Sequence, residues 1–198
     1  SNASYLRSLA RNCISQHKFK EAYDALLIAE KNGAQLRSTQ KMLFDVQMEL
    51  GLYTEAQANL DSMRADIFDY YIRNAKWQDY NGNLDGAISS MENAMKIAEE
   101  NKDEYRMLWS YSNIADFYAH AGRIEDSYNH YLKTLTIDPN YSYALKGIAW
   151  IVFSKERNTK EARKIIESIQ KKRNAPDYEL FLADIASYEG NEKLAEKH

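Results

Sequence analysis

The chain has 198 residues, 44% hydrophobic and 28% charged, with two prolines, seven glycines and one cysteine. That is the composition of a folded chain rather than a disordered one, and the single cysteine excludes an intrachain disulfide and any multi-cysteine metal site. A net charge of −3 gives no electrostatic footprint for nucleic acid, and no run approaches the ~18 apolar residues of a membrane span.

Ser1-Asn2-Ala3 looks like the remnant of a cleaved expression tag and is set aside from the fold. A removed signal peptide stays open, so both cytoplasm and periplasm are open. The scarcity of proline and glycine favours long helices over strands. Apolar periodicity predicts them in pairs: 4–15 with 19–31, 37–50 with 53–64, and 68–80 with 84–100. Then come 103–120 with 124–136, 141–154 with 159–172, and 177–189 with a last helix from 192. Asn32-Gly33, Asn81-Gly82 and Gly122 read as helix stops. Pro139 and Pro176 read as helix starts, where a missing N–H costs little.

One pattern recurs: a turn residue, a hydrophobe, then a small residue and a large apolar one four further on. It reads Phe19, Ala22, Leu26; then Gly51, Tyr53, Ala56, Leu60; then Gly82, Leu84, Ala87, Met91; then Gly122, Ile124, Ser127, Tyr131. Weaker copies follow at Ala162 with Ile166 and at Gly190 with Ala195. The small residues at 22, 56, 87, 127, 162 and 195 are spaced 34, 31, 40, 35 and 33 apart. Ala10, Ala75, Ala115, Ala149 and Ala183 would press the first helix of each pair on its partner, at the ~8–10 Å separation that only small residues allow. Phe44 stands at that site in the second pair, which is therefore expected to be locally splayed. The 40-residue interval predicts longer helices in the third pair.

The pattern resembles the tetratricopeptide repeat family, whose period is 34. The match is closest over 108–141, with Tyr111, Ala115, Tyr118 and Gly122, and an Ile137-Asp138-Pro139-Asn140 ending. The resemblance implies an all-α, right-handed superhelical solenoid of antiparallel helix pairs. It has about five and a half repeats in a single array over 4–198: 4–36, 37–67, 68–107, 108–141, 142–175 and a truncated 176–198. It also implies a non-catalytic protein–protein interaction scaffold, with a peptide or protein on the concave face formed by the first helices. On that face the mapping places Arg7, Arg11, Lys41, Asp45, Arg73, Lys76 and Tyr80 in the N-terminal half. The C-terminal half receives Trp109, Asn113, Asp116, His120, Tyr143, Lys146, Trp150, Phe153, Asp184 and Tyr188. The first group is rich in cations, so an acidic peptide is one expected partner; the second carries aromatics of the kind enriched at hot spots. Arg7 and Arg73 fall where family members that clamp carboxylate tails carry basic residues, but Arg11 and Met42 stand where that clamp has asparagine. Chaperone-tail binding is therefore not expected.

No catalytic constellation, metal set or cofactor motif emerges. His17, His120, His130 and His198 have no carboxylate or cysteine at ligand spacing. Cys13 shares a helix face with Leu6, Leu9 and Ala10, as a small buried hydrophobe would. Glu99-Glu100 and Glu125-Asp126 are adjacent and diverge on a helix. Gly82 and Gly86 flank a helix start. Lys171-Lys172-Arg173 closes a helix, where cations meet the negative dipole end. Solenoid ends need polar caps, so the short sixth repeat points to a segment of a longer protein or a trimmed disordered tail, with self-association through an open end as the other possibility. The alternative to a scaffold is a sensor, accessory or self-assembling repeat region of a larger protein.

Overall fold

A computed structural model describes residues 2–33, 36–65, 67–172 and 175–195; side chains of Leu36 and of 193–195 are outside the description. Every regular element among them is helical: α1 (Asn2–Ser15), α2 (Phe19–Lys31), α3 (Leu36–Leu50), α4 (Tyr53–Ser62), α5 (Ile67–Tyr80) and α6 (Leu84–Glu100). The chain continues through α7 (Glu104–His120), α8 (Ile124–Ile137), α9 (Ser142–Ser154), α10 (Thr159–Gln170) and α11 (Pro176–Ala195). The chain forms two compact units, Ser1–Ile97 and Ala98–His198. No described helix is long and apolar enough to cross a membrane.

The turn inside each pair is one device repeated. A residue in the left-handed region closes the first helix, and the small buried residue lies five positions later: His17 and Ala22, Gly51 and Ala56, Gly82 and Ala87, Gly122 and Ser127, Arg157 and Ala162. Glycine reaches this conformation without Cβ strain; His17 (φ 58°) and Arg157 (φ 56°) adopt it with a side chain. The chain then turns back, as Leu52 N donates to Gln47 O at 2.8 Å and Arg123 N to Tyr118 O at 2.8 Å. These bonds satisfy carbonyls that a helix end would leave unpaired.

In the first unit, Leu6, Ala10 and Cys13 of α1 bury against Ala22, Ala25 and Leu26 of α2 and against Leu43 and Val46 of α3. Phe44 is fully buried with Met48, Ala56, Leu60 and Met63. It lies beside the shortest of the described α-helices, α4, which passes into a 3₁₀ turn at Met63–Ala65. Asn74 Nδ2 donates to Ser90 Oγ across α5 and α6 at 2.6 Å. In the second unit, Ala115 of α7 packs with Tyr131, Ala144, Ile148 and Ile151. Ala149 joins Ile166, Ile169 and Tyr178. Ile114, Ile151, Ile166 and Ile185 are wholly buried, each contributing roughly 1.5–3 kcal/mol over exposure. Ala10, Ala22, Ala56, Ala75, Ala87, Ala115, Ala149, Ala162 and Ser127 all have zero exposure, as close helix approach requires. The long interval of the third pair is taken up by α6 and by the α7 that follows it, each of 17 residues.

Three expectations are corrected. Residues 177–189 do not end at Gly190: α11 runs unbroken through it to Ala195. A lone helical glycine costs only ~1 kcal/mol against alanine, and the residues that follow are good helix formers. With no turn there, Ala183 is exposed, and the buried stripe of α11 is instead Tyr178, Phe181, Leu182 and Ile185. Pro139 does not start a helix. It sits in the turn before α9, where Asn140 N donates to Asp138 Oδ1 at 2.9 Å, while Pro176 does begin α11. Arg173, His198 and the Ala195 side chain lie outside the described residues.

Candidate functional site

Within the second unit, the first helices of successive pairs surround a cleft of about 390 Å³. Asp116, Ala119 and His120 come from α7; Tyr143, Lys146, Gly147 and Trp150 from α9; Asp177 and Phe181 from α11. The spacings of three and four keep each set on one helix face. Tyr131 reaches in from α8. It can do so because position 147 has no side chain: a Cβ there would lie 2.2 Å from Tyr131 Cζ.

Asp116 is the polar centre. Tyr131 donates its hydroxyl to Oδ1 and Tyr143 donates to Oδ2, so both carboxylate oxygens are held. Burial raises both phenol pKa values above the ordinary tyrosine value, and the adjacent carboxylate raises them further. The phenols therefore stay protonated donors across the physiological range. At the rim, Lys146 Nζ pairs with Asp177 Oδ2 at 3.2 Å. Trp150 and Tyr143 are 41% and 42% exposed, leaving much of both rings uncovered. Lys155 Nζ lies 5.7 Å from the centroid of the Trp150 ring.

The structure thus brings together Asp116, His120, Tyr143, Lys146 and Trp150. Trp109 and Asn113 lie on the α7 segment preceding Asp116 and do not line the cleft; Asn113 Nδ2 donates to Trp109 O at 2.7 Å. Phe153 is a packing residue, half-buried with ring centroids 5.9 Å from Phe181 and 5.7 Å from Tyr188. Tyr188 lies beneath Arg157, and Asp184 is exposed on α11 outside the cleft. Tyr131, Asp177 and Phe181 are not among the residues expected from the sequence. The repeat pattern makes Tyr131 a large apolar packing position, and on the last helix the expected face runs through Asp184 and Tyr188 instead of the other two.

In the basic N-terminal set, three of the expected cations are ion-paired. Lys41 Nζ pairs with Asp69 at 2.7 Å, and Arg73 pairs with Asp45 at 2.9 Å and Asp69 at 3.1 Å. Lys76 pairs with Glu49 at 3.3 Å. These cations bind α3 to α5. Tyr80 stacks on Tyr53 at 4.2 Å between ring centroids. Arg7 is half-buried and Arg11 exposed on α1.

Among the histidines, His130 is half-buried beside Tyr118, with Nδ1 2.8 Å from Asp126 O. His17 occupies a turn against the Phe19 ring. No group of three His, Cys, Asp or Glu suited to a metal occurs among the described residues.

No protein-family model matches the chain, and no curated protein matches it in sequence. Solved structures do. TTC0263, a thermophilic TPR protein from Thermus thermophilus, is 15% identical over 93% of this chain and 98% of its own, with a TM-score of 0.74. The chain has the tetratricopeptide repeat fold. Yeast Tom70 matches over 98% of this chain and 40% of its own, at 11% identity and a TM-score of 0.71. YrrB, described as a TPR protein with an unusual peptide-binding site, matches over 90% of each chain at 13% identity and a TM-score of 0.54. At such identities the likeness is one of fold. The tetratricopeptide repeats here set α7, α9 and α11 as the first helices of three successive pairs, and these carry nine of the ten residues lining the cleft.

Proposed function

We propose that the chain is a non-catalytic scaffold that holds a segment of another protein in the α7–α9–α11 cleft. The observation that carries this reading is the pair of half-exposed rings, Trp150 and Tyr143, beside a fixed polar group at Asp116. Uncovered aromatics around a few placed polar groups are the composition of a recognition site. A volume near 390 Å³ suits one or two side chains of an extended segment, not a folded surface. No serine, threonine or cysteine lines the cleft, and its central carboxylate is already bound by two phenols. Both features favour binding over catalysis.

Lys41, Arg73 and Lys76 already have carboxylate partners, so the case for an acidic ligand is left to Arg7 and Arg11. An array of random nonapeptides, probed with the intact chain, tests the cleft itself. Trp150→Ala should lose at least about 30-fold in affinity, the loss of one strong hot spot, while Tyr53→Ala in the first unit should bind as before. Retention of every peptide by Trp150→Ala would sink the proposal.

A further inference from the structure

We infer that the held segment enters the cleft through a lysine or arginine side chain, whose cation meets Asp116 and Asp177; this rests on the cleft being the binding site. The lining has two carboxylates, Asp116 and Asp177, against one ammonium, Lys146. An acidic side chain would meet this excess of like charge, whereas a basic one completes it.

Asp116 also has acceptor capacity to spare. Each of its oxygens takes one phenol hydroxyl, but a carboxylate offers about four lone-pair positions. The two phenols fix the group and leave acceptor positions unused. Asp177 is 65% exposed and its partner Lys146 is 36% exposed. Such surface pairs hold weakly and exchange readily. A purely apolar side chain would desolvate Asp116 without replacing the lost water contacts.

The walls suit the rest of such a side chain. Trp150, Tyr143 and Phe181 offer ring surface along which an alkyl stem lies while its charged end stays with polar partners. Charge, acceptors and rings agree on one ligand chemistry.

The test takes peptides selected on the array and measures affinity by fluorescence anisotropy. Each is remade with its basic residue replaced by norleucine or glutamate. Lysine and arginine should be enriched among binders, and the glutamate versions should bind about tenfold or more weakly. Asp177→Asn should weaken the basic peptides about two- to fivefold, and Lys146→Gln, by releasing Asp177, should tighten them by a similar factor. A purely structural role for Lys146 would not predict that gain. Peptides that depend on Trp150 yet bind equally well with glutamate would overturn this inference and leave the cleft assignment standing. Finding no peptide that depends on Trp150 would overturn both.

Discussion

The two units put different side chains on equivalent helices and obtain different surfaces. In the first unit, α3 and α5 face one another with Lys41, Asp45, Glu49, Asp69, Arg73 and Lys76, and the charges satisfy each other across the pair. In the second unit, Asp116 of α7 holds one phenol from α8 and one from α9, and beside them lies a cleft walled by aromatic rings. Facing charges of opposite sign draw two helices together and close the surface. A carboxylate satisfied by neutral hydroxyls keeps its own charge, so that surface stays electrostatically active. A count of cations along one helix misses this, because the neutralising carboxylates sit on the neighbour.

The largest effect should come from overfilling the second unit. Ala115 has zero exposure and packs with Tyr131, Ala144 and Ile148. Ala115→Trp should cost more than about 3 kcal/mol and lower Tm by roughly 12 °C or more. Calorimetry showing an unchanged transition would refute the packing described for that unit.

The charge-paired side can be broken next. The Arg73 side chain is 13% exposed, with Asp69 at 14% and Asp45 at 41%. Arg73→Met removes one cation from two carboxylates, but Asp69 keeps Lys41 at 2.7 Å and Asp45 stays wet, so it should cost about 1 kcal/mol in urea unfolding. A neutral result would show that these pairs do not hold α3 to α5.

Gly147→Ala sets two effects against each other. Alanine gains about 1 kcal/mol of helix propensity, but its Cβ would collide with the buried Tyr131 ring, at roughly 1–3 kcal/mol for an overpacked core. The clash should win by about 1 kcal/mol and push Tyr131 off Asp116. A stabilised variant would mean that Tyr131 can withdraw.

The last effect is read only at alkaline pH. Burial and the bond to Glu99 push the Tyr111 phenol up to about 12, from an ordinary value of 10. The protonated form is favoured on folding, so this contribution is full below pH 10 and is lost as pH rises from 10 to 12. Tyr111→Phe should make that part of the stability profile less steep without flattening it, because Tyr131 and Tyr143 are raised as well. An unchanged slope would assign the alkaline loss elsewhere.

Much of the fold was legible because it depends on local features: helix periodicity, left-handed turn residues, and alanines at contact sites. Helices α2 and α6 fall on their expected bounds. The cleft was half legible. Asp116, His120, Tyr143, Lys146 and Trp150 follow from helix faces, whereas Tyr131 depends on the missing side chain at Gly147, a relation across sixteen residues that no periodicity shows. Asp177 and Phe181 lie in the expected helix 177–189 but were missed because the expected face runs through Asp184 and Tyr188, toward the other end of that helix.

The five-residue step from left-handed turn to buried small residue has a consequence for how such a chain can diverge. The step is constant, while the distance from one turn to the next varies as 34, 31, 40 and 35 residues and the turn itself accepts histidine or arginine in place of glycine. Insertions and substitutions elsewhere lengthen or shorten a helix without disturbing the joint. A chain built this way can change most of its side chains and keep its shape, and its likeness to TTC0263 and Tom70 at 15% and 11% identity is one of shape alone.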